Sequence, residues 1–598
     1  MPIVSYSVKQ LNKLLAKEFP MEVIMESLRQ LGCDVEDAVD ITMYQCPACD
    51  ALNDKLSREE PAKRCLFCGH EQEEDFKEFA SDSVVRIDLL ADRPDLFDVV
   101  GLSRALRGYL ELEEGMPVFD SQPGDIQVQV EPSVLKVRPY IVCAVAEVPP
   151  LDINTLRELM KLQENLHWGV GRDRKLASIG IYNLDTLTPP ITYKSIEPTK
   201  FKFHPLTMPD VEMTPEEILR DHPKGVAYAH LMEDLSRYPL LIDSKGLTLS
   251  MPPIINSDET KCRVGTSRLF IDVTGTAEQA PMDSLNILTC AISQLGGKIQ
   301  SVKINYPDRS ITTPDLTPRK ITVSFADARR WLGVDFTREE FLKSIRKMRL
   351  NVQPEDKGKD KDKYLVEYPV YRSDIRHEVD IFEDVLVGYG VDRVEMKLVP
   401  NMTVGQERPE ERMANTVRSI MTGLGFIEIM SLDLLSEENH FTRLRMEPGE
   451  SYVRVDNPKT INQRVLRSHL MTGLMETFEK NKKKAVPQRI FEIGPVTFLN
   501  PGNETGVNEY RHLAFGIIGT DMGYADGRAV LDSVLRELGL NGEYRLLEHP
   551  SFIEGRCAEV TIGKDLWARL GEIHPQVLNN FGLAYPIVYC ELRLARVF

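Results

Sequence analysis

The sequence predicts an α+β fold divided among four segments, with one small insertion. The chain has 598 residues, which is more than a single hydrophobic core usually organises. Hydrophobic residues make up 42% and charged residues 27% of it, values typical of globular proteins, so a disordered or collagen-like chain is excluded. Strand-like alternation and helix-like spacing of apolar residues both recur, which predicts helices and sheets in the same domains.

The first segment, residues 1–115, begins with a predicted strand followed by helical spacing of apolar residues. Residues 84–90 predict a strand and residues 102–112 a helix. Between these elements, at about residues 44–75, the composition changes to Cys, Pro and charged residues. The segment is therefore predicted to be an α/β domain that carries a separate insertion.

The second segment, residues 116–312, opens with a Pro-rich stretch at 117–132 that predicts a connector. Short strands among helices then predict a mixed α/β domain. The third segment, residues 313–398, has the order strand, helix, helix, charged loop, strand and helix. Its lysine-rich loop at 355–363 predicts a solvated hairpin tip.

The fourth segment, residues 405–598, follows a predicted linker at 400–409. It starts with a helix and continues as several strands, the pattern of an antiparallel α+β domain.

The net charge of the chain is −18, from 73 basic and 91 acidic residues. Such a chain repels phosphate backbones on average, which argues against a protein that coats nucleic acid but not against an enzyme. No stretch approaches 18 uncharged apolar residues, and the N-terminus lacks the pattern of a secretory signal. We therefore expect a cytoplasmic protein without a membrane span.

Four cysteines have the spacing of a zinc site. Cys46 and Cys49 form one CxxC pair, and Cys65 and Cys68 form a second after 15 residues. Four thiolates close a tetrahedral shell and leave no position for water, so this spacing predicts structural Zn²⁺. The alternatives are four unrelated thiols or a redox pair, for which the surrounding thioredoxin-like pattern is missing.

Four carboxylates form a second constellation. Asp380, Glu383 and Asp384 have the i, i+3, i+4 spacing of one helix face, and Asp374 lies near the predicted start of that helix. Like charges at this spacing repel, and oxygen ligands suit Mg²⁺. The alternative is that Arg376 pairs with Asp380 while the other carboxylates face water.

Ten ordered motifs run along the chain: VVRIDLLADRPDLFDVVGLSRALRGYL (84–110), LHWGVGRDRKLASIGIYNLDTL (166–187), LTLSMPPIINSDETK (247–261), FIDVTGT (270–276), YRSDIRHEVDIFEDVLVGYG (371–390), NPKT (457–460), VLRSHLMTGLM (465–475), FEIG (491–494), YRHLAFG (510–516) and GRCAEV (555–560). They resemble the motifs of one family, the β subunit of phenylalanyl-tRNA synthetase in its archaeal and eukaryotic form. The cysteine region looks like an insertion relative to the usual form of this subunit.

The resemblance implies an editing-like domain at 116–312, a small helix-turn-helix-like domain at 313–398 and a class II synthetase-like domain at 405–598. Class II enzymes hold ATP with arginines in F-R-x-E and G-x-G-h-D/E-R motifs. The first motif does not occur here, and we interpret its partial match at Arg445 as coincidence. Residues 169–174 imitate the second motif, but they lie in the editing-like region. The last domain is therefore expected to be catalytically inactive.

The resemblance implies that the chain works as the β subunit of phenylalanine–tRNA ligase in an α2β2 heterotetramer. The α subunit would use ATP to attach phenylalanine to tRNA(Phe), and the four carboxylates would be Mg²⁺ ligands. The alternatives are a stand-alone editing hydrolase and a zinc-containing RNA-binding scaffold. A basic patch at Lys482, Lys483, Lys484 and Arg489 would meet tRNA or the α subunit, or it is simply solvated.

The resemblance also implies hydrolytic editing of Tyr-tRNA(Phe), because a phenylalanine site rejects tyrosine only weakly. An editing site needs a group that reads the tyrosine hydroxyl, an oriented water and donors for an oxyanion, for which backbone amides around Asn256 could serve. For each candidate the alternative is a polar side chain that only satisfies a turn. The candidates are Asn256, Ser257, Glu259, Thr260, Asp272, Thr274, His167 and Asp185.

Overall fold

The structure, a computed structural model, describes most of the chain. The described residues are 3–48, 51–65, 69–88, 91–355, 362–399, 403–449, 451–563 and 566–596. They form two compact units, Met1–Lys397 and Leu398–Phe598, and each is considered by itself. The finer predicted boundaries within the first unit stay predictions. Among the described residues, no helix combines the length and the apolar character that crossing a bilayer requires.

The first predicted segment contains a sheet with strand order β1-β4-β2-β3, all antiparallel, with helices beside it. Its elements are β1 (Ile3–Ser7), α1 (Val8–Leu15), α2 (Met21–Gln30), β2 (Asp34–Gln45), β3 (Leu52–Leu56), β4 (Lys77–Asp88) and α3 (Val99–Tyr109). The helical spacing near the N-terminus belongs to two helices, because Pro20 starts a new helix at Met21.

The second segment is built on a large mixed sheet, with the strand order β11-β10-β9-β8-β5-β13-β6-β12-β7 and with β14 beside β13. Its elements are β5 (Gln122–Val130), β6 (Tyr140–Glu147), α4 (Ile153–Trp168), β7 (Ala177–Asn183), β8 (Ile191–Ile196), α5 (Pro215–Asp221), α6 (Pro223–Tyr228), β9 (Tyr238–Ile242), β10 (Thr248–Met251), β11 (Ile255–Asn256), β12 (Arg268–Gly275), α7 (Gln279–Gln294), β13 (Lys298–Asn305) and β14 (Ser310–Thr313).

The predicted connector at 117–132 is wrong, because it contains the central strand β5. β5 pairs in parallel with β8 and β13, and its Val128 and Val130 are buried. The strand signal is the alternation of Ile126, Val128 and Val130. The prolines around it predict turns, so the strand was not predicted.

The third segment has a small sheet, β15-β17-β16, with helices packed against it. Its elements are β15 (Arg319–Ser324), α8 (Phe325–Leu332), α9 (Arg338–Lys347), β16 (Asn351–Pro354), β17 (Lys363–Tyr368) and α10 (Glu378–Tyr389). β16 and β17 form the predicted hairpin, but most of its tip lies outside the described residues. One hydrophobic core joins side chains of the first three segments, including Leu102, Leu166, Leu288 and Tyr371.

The second unit has the sheet order β18-β21-β22-β26-β25-β24-β23, antiparallel except where β18 meets β21. This matches the predicted antiparallel α+β pattern. Its elements are α11 (Pro409–Gly423), β18 (Ile427–Glu428), β19 (Leu434–Leu435), α12 (Glu437–His440), β20 (Val465–Leu466), α13 (Met471–Lys480), β21 (Gln488–Leu499), β22 (Val507–Ile518), α14 (Tyr524–Glu537), β23 (Glu543–Leu546), β24 (Phe552–Ile562), β25 (Leu566–Ile573), α15 (Pro575–Asn580) and β26 (Ile587–Arg596).

Candidate functional site

A cavity of about 700 Å³ lies in the second segment, bordered by α4, β7, β12 and the turn between β10 and β11. The β2–β3 hairpin of the first segment also contributes to its lining. A volume of this size is typical of pockets that enclose a small molecule or part of a larger one. The cavity is the candidate site of this unit.

Helix α4 supplies polar groups to the cavity. It begins after Asp152, whose carboxylate accepts a hydrogen bond from the backbone N–H of Thr155 at 2.7 Å. The helical repeat brings Gln163, Glu164 and His167 to one face, and all three line the cavity.

Glu164 and His167 are fixed by Arg174 and Ile179. Nη2 of Arg174 donates to Oε1 of Glu164 at 2.8 Å, and Nδ1 of His167 lies 3.7 Å from the same oxygen. Nε2 of His167 accepts from the backbone N–H of Ile179 at 2.7 Å, so the neutral ring carries its proton on Nδ1. Burial, together with the charge of Arg174, lowers the pKa of His167. The imidazole is therefore neutral at physiological pH.

Asp272 and Tyr182 form the second polar group of the cavity. The hydroxyl of Tyr182 donates to Oδ1 of Asp272 at 2.5 Å and lies 2.8 Å from Oγ of Ser250. Burial raises the pKa of Asp272 to about 7, against the opposing effects of the Tyr182 hydrogen bond and the charge of Arg138. Asp272 is thus a buried carboxyl that changes charge near neutral pH.

Gly180 permits the contact between Tyr182 and Asp272. Asp272 is paired with Gly180 in the sheet, and Tyr182 projects on the same face two residues further along β7. A Cβ atom at position 180 would lie 1.9 Å from the Tyr182 hydroxyl oxygen and 2.5 Å from Oδ1 of Asp272. Any larger residue would displace one of these groups.

Three of the eight predicted editing residues line the cavity: His167, Asn256 and Asp272. The other five lie elsewhere. Ser257 and Thr260 are buried and bonded to the local chain, Thr274 accepts a hydrogen bond from Arg138, Asp185 pairs with exposed Arg268, and Glu259 is exposed. The hydrogen bonds of Ser257 and Thr260 fit the alternative that these side chains stabilise the local turn. Their roles in hydrolysis stay predictions.

Sequence reasoning missed Glu164, Arg174, Tyr182 and Ser250, which the fold brings into the same cavity. Arg174 belongs to the stretch that imitates an ATP motif. In the structure it is buried and donates to Glu164 and to the carbonyl of Ile254, and it stacks on Tyr228 at 4.4 Å. Its place in the stretch 166–187, which also contains the predicted His167 and Asp185, was the available signal.

The four predicted magnesium ligands lie along a second cavity, of about 240 Å³. Arg372 donates to Asp374 at 2.7 Å and to Asp384 at 2.8 Å, so a guanidinium already bridges these two carboxylates. Asp380 accepts from the backbone N–H groups of Arg376 and His377, and Glu383 is exposed. Within the part of the chain that the structure describes, no three His, Cys, Asp or Glu side chains are grouped as metal ligands.

Two of the four predicted zinc ligands can be described. Cys46 and Cys65 are buried in one small apolar cluster, and Nδ2 of Asn53 lies 3.6 Å from Sγ of Cys65. An amide donor suits a thiolate sulfur. Cys49 and Cys68 lie outside the described residues.

The second unit carries a buried ion pair on its sheet. Arg467 donates to Glu492 on β21 at 2.6 Å, and the Glu492 carboxylate also accepts from the hydroxyl of Ser431 at 2.7 Å. Arg445 donates to the carbonyl of Pro550 at 2.8 Å. The interpretation of Arg445 as a coincidental motif match agrees with this contact.

Comparison with known proteins identifies the domains. Residues 397–594 match the model of the phenylalanyl tRNA synthetase beta chain CLM domain, and residues 321–391 match the tRNA synthetase B5 domain. The crystal structure of an N-terminal fragment of the phenylalanyl-tRNA synthetase beta subunit from Pyrococcus horikoshii is similar, with a TM-score of 0.55 and 33% identity. The similarity covers 65% of this chain and 99% of that fragment.

Curated relatives extend the similarity to the whole chain. The phenylalanine–tRNA ligase beta subunit of Methanosphaera stadtmanae is 34% identical over 100% of both chains. The corresponding subunit of Pyrococcus abyssi is 38% identical over 85% of this chain and 90% of its own.

The folds and the cavity-bearing domain thus define an aminoacyl-tRNA synthetase chain of several domains. The sheet domain at its C-terminal end is of the synthetase type but lacks the arginine motifs for ATP. The chain belongs to the family of phenylalanine–tRNA ligase beta subunits.

Proposed function

We propose that the chain supports the ATP-dependent attachment of phenylalanine to tRNA(Phe) as the β subunit of a complex with a catalytic α subunit. The observation that carries this proposal is a synthetase-type C-terminal domain, matched over residues 397–594, without the ATP-binding arginines. Such a domain suits a partner that supplies the chemistry.

An exposed apolar surface on the second unit supports the need for a partner. Ile427, Met430 and Leu432, in the region that follows α11, are 68%, 95% and 66% exposed. Several exposed apolar side chains within one short stretch make this region a candidate interface. We propose that the α subunit covers this surface in an α2β2 heterotetramer in the cytoplasm. This surface makes a stand-alone hydrolase the weaker alternative.

The experiment is pyrophosphate exchange. The purified chain alone should show no phenylalanine-dependent exchange, and addition of the α subunit should produce it. Robust exchange by the isolated chain would contradict the assignment of the synthetic site to the partner.

We further propose that the 700 Å³ cavity edits Tyr-tRNA(Phe). Its size suits the aminoacyl end of a tRNA. Asp272 is 1% exposed and, together with Tyr182 and Ser250, offers hydrogen-bonding groups that could read the hydroxyl at the end of a tyrosine side chain. A phenylalanine ring has no hydroxyl to exchange hydrogen bonds with these groups, which already bond to one another, so the site favours a tyrosine side chain.

Hydrolysis at this site needs a water molecule and a place for negative charge. The water oxygen adds to the ester carbonyl carbon, the bond to the ribose oxygen breaks, and that oxygen takes up a proton. The backbone N–H groups of Ile254 and Ser257, which flank the predicted oxyanion position near Asn256, already donate to carbonyls of the chain. An oxyanion in this cavity therefore needs another positive group. The guanidinium of Arg174, which contacts the turn at Ile254, adds positive charge to the cavity.

The test uses Tyr-tRNA(Phe) prepared in advance and the αβ complex. The wild-type complex should hydrolyse it, and Asn256→Ala should slow hydrolysis. Because Glu259 is exposed and outside the cavity lining, Glu259→Ala should have the smaller effect. If the wild-type complex leaves Tyr-tRNA(Phe) as long-lived as buffer does, the editing proposal is wrong.

Two metal ions complete the proposal. Cys46 and Cys65 are candidates to hold structural Zn²⁺ together with Cys49 and Cys68. Mg²⁺ is commonly bound through one or two carboxylates and several waters. Asp380 and Glu383 are therefore the best placed of its four proposed ligands, since Arg372 engages Asp374 and Asp384. The two helices α8 and α9 follow one another along the chain, as the proposed helix-turn-helix-like domain of the third segment requires. The basic residues Lys482, Lys483, Lys484 and Arg489 remain candidates for contact with tRNA or the α subunit.

A further inference from the structure

The β2–β3 hairpin, here defined as residues 34–48 and 51–56, forms part of the candidate editing cavity. Gln45, Ala48, Ala51 and Leu52 line this cavity. All of the other lining residues lie between 151 and 272 in the second segment. A region that resembles an insertion in the sequence therefore supplies a wall to a site in another segment.

Two ion pairs hold the hairpin against α4. The carboxylate of Asp54 accepts from Nη2 of Arg157 at 2.5 Å and from Nζ of Lys161 at 2.9 Å. Although burial alone would raise it, the charges of Lys161 and Arg157 hold the pKa of Asp54 below its usual value. Arg157 is only 8% exposed, so these contacts are shielded from water. α4 also carries Glu164 and His167, so the ion pairs join the hairpin to the polar face of the site.

The cluster around Cys46 and Cys65 packs against the part of the hairpin that lines the cavity. The backbone N–H of Cys46 donates to the carbonyl of Ala51 at 2.9 Å, and Nδ2 of Asn53 donates to the same carbonyl at 3.2 Å. Asn53 also lies 3.6 Å from Sγ of Cys65, and Ala51 packs against the apolar cluster that contains both cysteines. The position of Ala51 thus depends on the fold around these cysteines.

A second contact lies at Gly69, beyond the hairpin. A Cβ atom there would be 3.3 Å from Cβ of Pro223. Pro223 begins α6, whose Lys224 lines the cavity. The cysteine-bearing region therefore reaches two of the helices that border the site.

We propose that the β2–β3 hairpin determines which aminoacyl group the cavity accepts. This inference rests on the proposed editing function and adds the element that sets its specificity. Short side chains at Ala48 and Ala51, beside apolar Leu52, leave room for an aromatic ring linked to adenosine. A larger side chain at Ala48 or Ala51 narrows the cavity, whereas a larger side chain elsewhere in the cysteine-bearing insertion, outside the cavity lining, does not.

The test measures binding rather than turnover. The probe is 3′-(L-tyrosylamino)-3′-deoxyadenosine, whose amide resists hydrolysis, and titration calorimetry with the αβ complex gives its dissociation constant. We expect Ala48→Trp to raise this constant about tenfold, since overpacking a formed site is unfavourable, and Ala51→Leu to raise it less. Glu60→Trp introduces the same side chain at an exposed position outside the lining and should leave the constant unchanged. Thermal melting and co-purification with the α subunit verify that each variant is folded.

A second measurement tests the attachment of the hairpin directly. Asp54→Asn should increase hydrogen exchange in residues 51–56, and the probe should protect these residues in the wild-type complex. Equal affinities for wild type, Ala48→Trp, Ala51→Leu and Glu60→Trp would overturn the inference and leave the editing proposal intact. A wild-type complex that binds no probe and hydrolyses no Tyr-tRNA(Phe) would instead overturn the editing function itself.

Discussion

The hydroxyl oxygen of Tyr182 lies 2.5 Å from Oδ1 of Asp272, although the two residues are 90 positions apart in the chain. Sheet pairing places Asp272 opposite Gly180, and Tyr182 reaches back over the space that the glycine leaves. The contact holds a buried carboxyl at a defined position in the cavity. The first three predictions depend on Asp272 and this contact.

Hydrolysis of Tyr-tRNA(Phe) should depend on pH through Asp272. Burial raises the pKa of this carboxyl to about 7. The ionised carboxylate is a stronger hydrogen-bond acceptor for the substrate's tyrosine hydroxyl than the protonated carboxyl is. The rate should therefore rise with pH through about 7 and then level off. Asp272→Asn should be slower and lose this dependence. A flat wild-type profile between about pH 6 and 8 would contradict the assignment.

The raised pKa of Asp272 should also make the free energy of unfolding depend on pH. Because the folded pKa of Asp272 is above that of the unfolded chain, the folded state binds more protons between pH 3.8 and about 7. The contribution of Asp272 to stability is therefore full at low pH and is lost as the pH rises through about 7. Asp272→Asn should reduce the fall in unfolding free energy over this range, as measured by denaturant titration at several pH values.

Gly180→Ala should disrupt the candidate editing cavity. The new Cβ would overlap the Tyr182 hydroxyl oxygen at 1.9 Å, so Tyr182 must move away from Asp272. We expect a loss of about 1–3 kcal/mol in unfolding free energy and slower Tyr-tRNA(Phe) hydrolysis. The matched control is Gly405→Ala, since Gly405 has no atom within 4 Å of the added Cβ. If both variants edit at the wild-type rate, the cavity does not need this contact.

Arg372→Gln should destabilise the first unit strongly. It removes the guanidinium between Asp374 and Asp384, and a buried carboxylate without its partner costs about 3–5 kcal/mol. Burial raises the pKa of Asp384 to about 6, although Arg372 and Arg93 oppose this effect. Arg376→Gln, a change at an exposed neighbour, is the control.

The stability of Arg372→Gln can also be measured with added Mg²⁺. If the carboxylates bind Mg²⁺, added Mg²⁺ should restore part of the thermal stability of Arg372→Gln, because the cation replaces a lost positive charge. An equal response of wild type and variant to Mg²⁺ would count against a cation at these four residues.

The cysteine region should contain about one Zn²⁺ per chain as a structural ion. Elemental analysis of chelator-washed protein tests this, and protein without zinc would refute it. Cys65→Ser should lose the metal and increase hydrogen exchange over residues 44–75, and phenylalanine charging should persist at least in part. Cys33→Ser, a thiol outside the insertion, should retain the zinc.

The sequence alone determined the family and led to the expectation that synthesis occurs on a partner. These inferences depend on short motifs and on local periodicity, which record each residue's immediate neighbours along the chain. The N-terminal helices and the antiparallel C-terminal pattern were predictable for the same reason. The strand β5 was missed because proline-rich surroundings obscured a short alternation that only the sheet explains.

The tertiary structure alone decided the composition of the cavity. It placed His167, Asn256 and Asp272, three of the eight predicted residues, along one cavity and brought Tyr182 to the same cavity. It also placed the β2–β3 hairpin against α4 through Asp54 and Arg157, 103 residues apart. Contacts over such distances depend on how sheets and helices pack, and the local pattern of a sequence does not specify that packing. The sequence therefore indicated which polar residues are candidates for a site, whereas only the fold shows which of them lie along the same cavity.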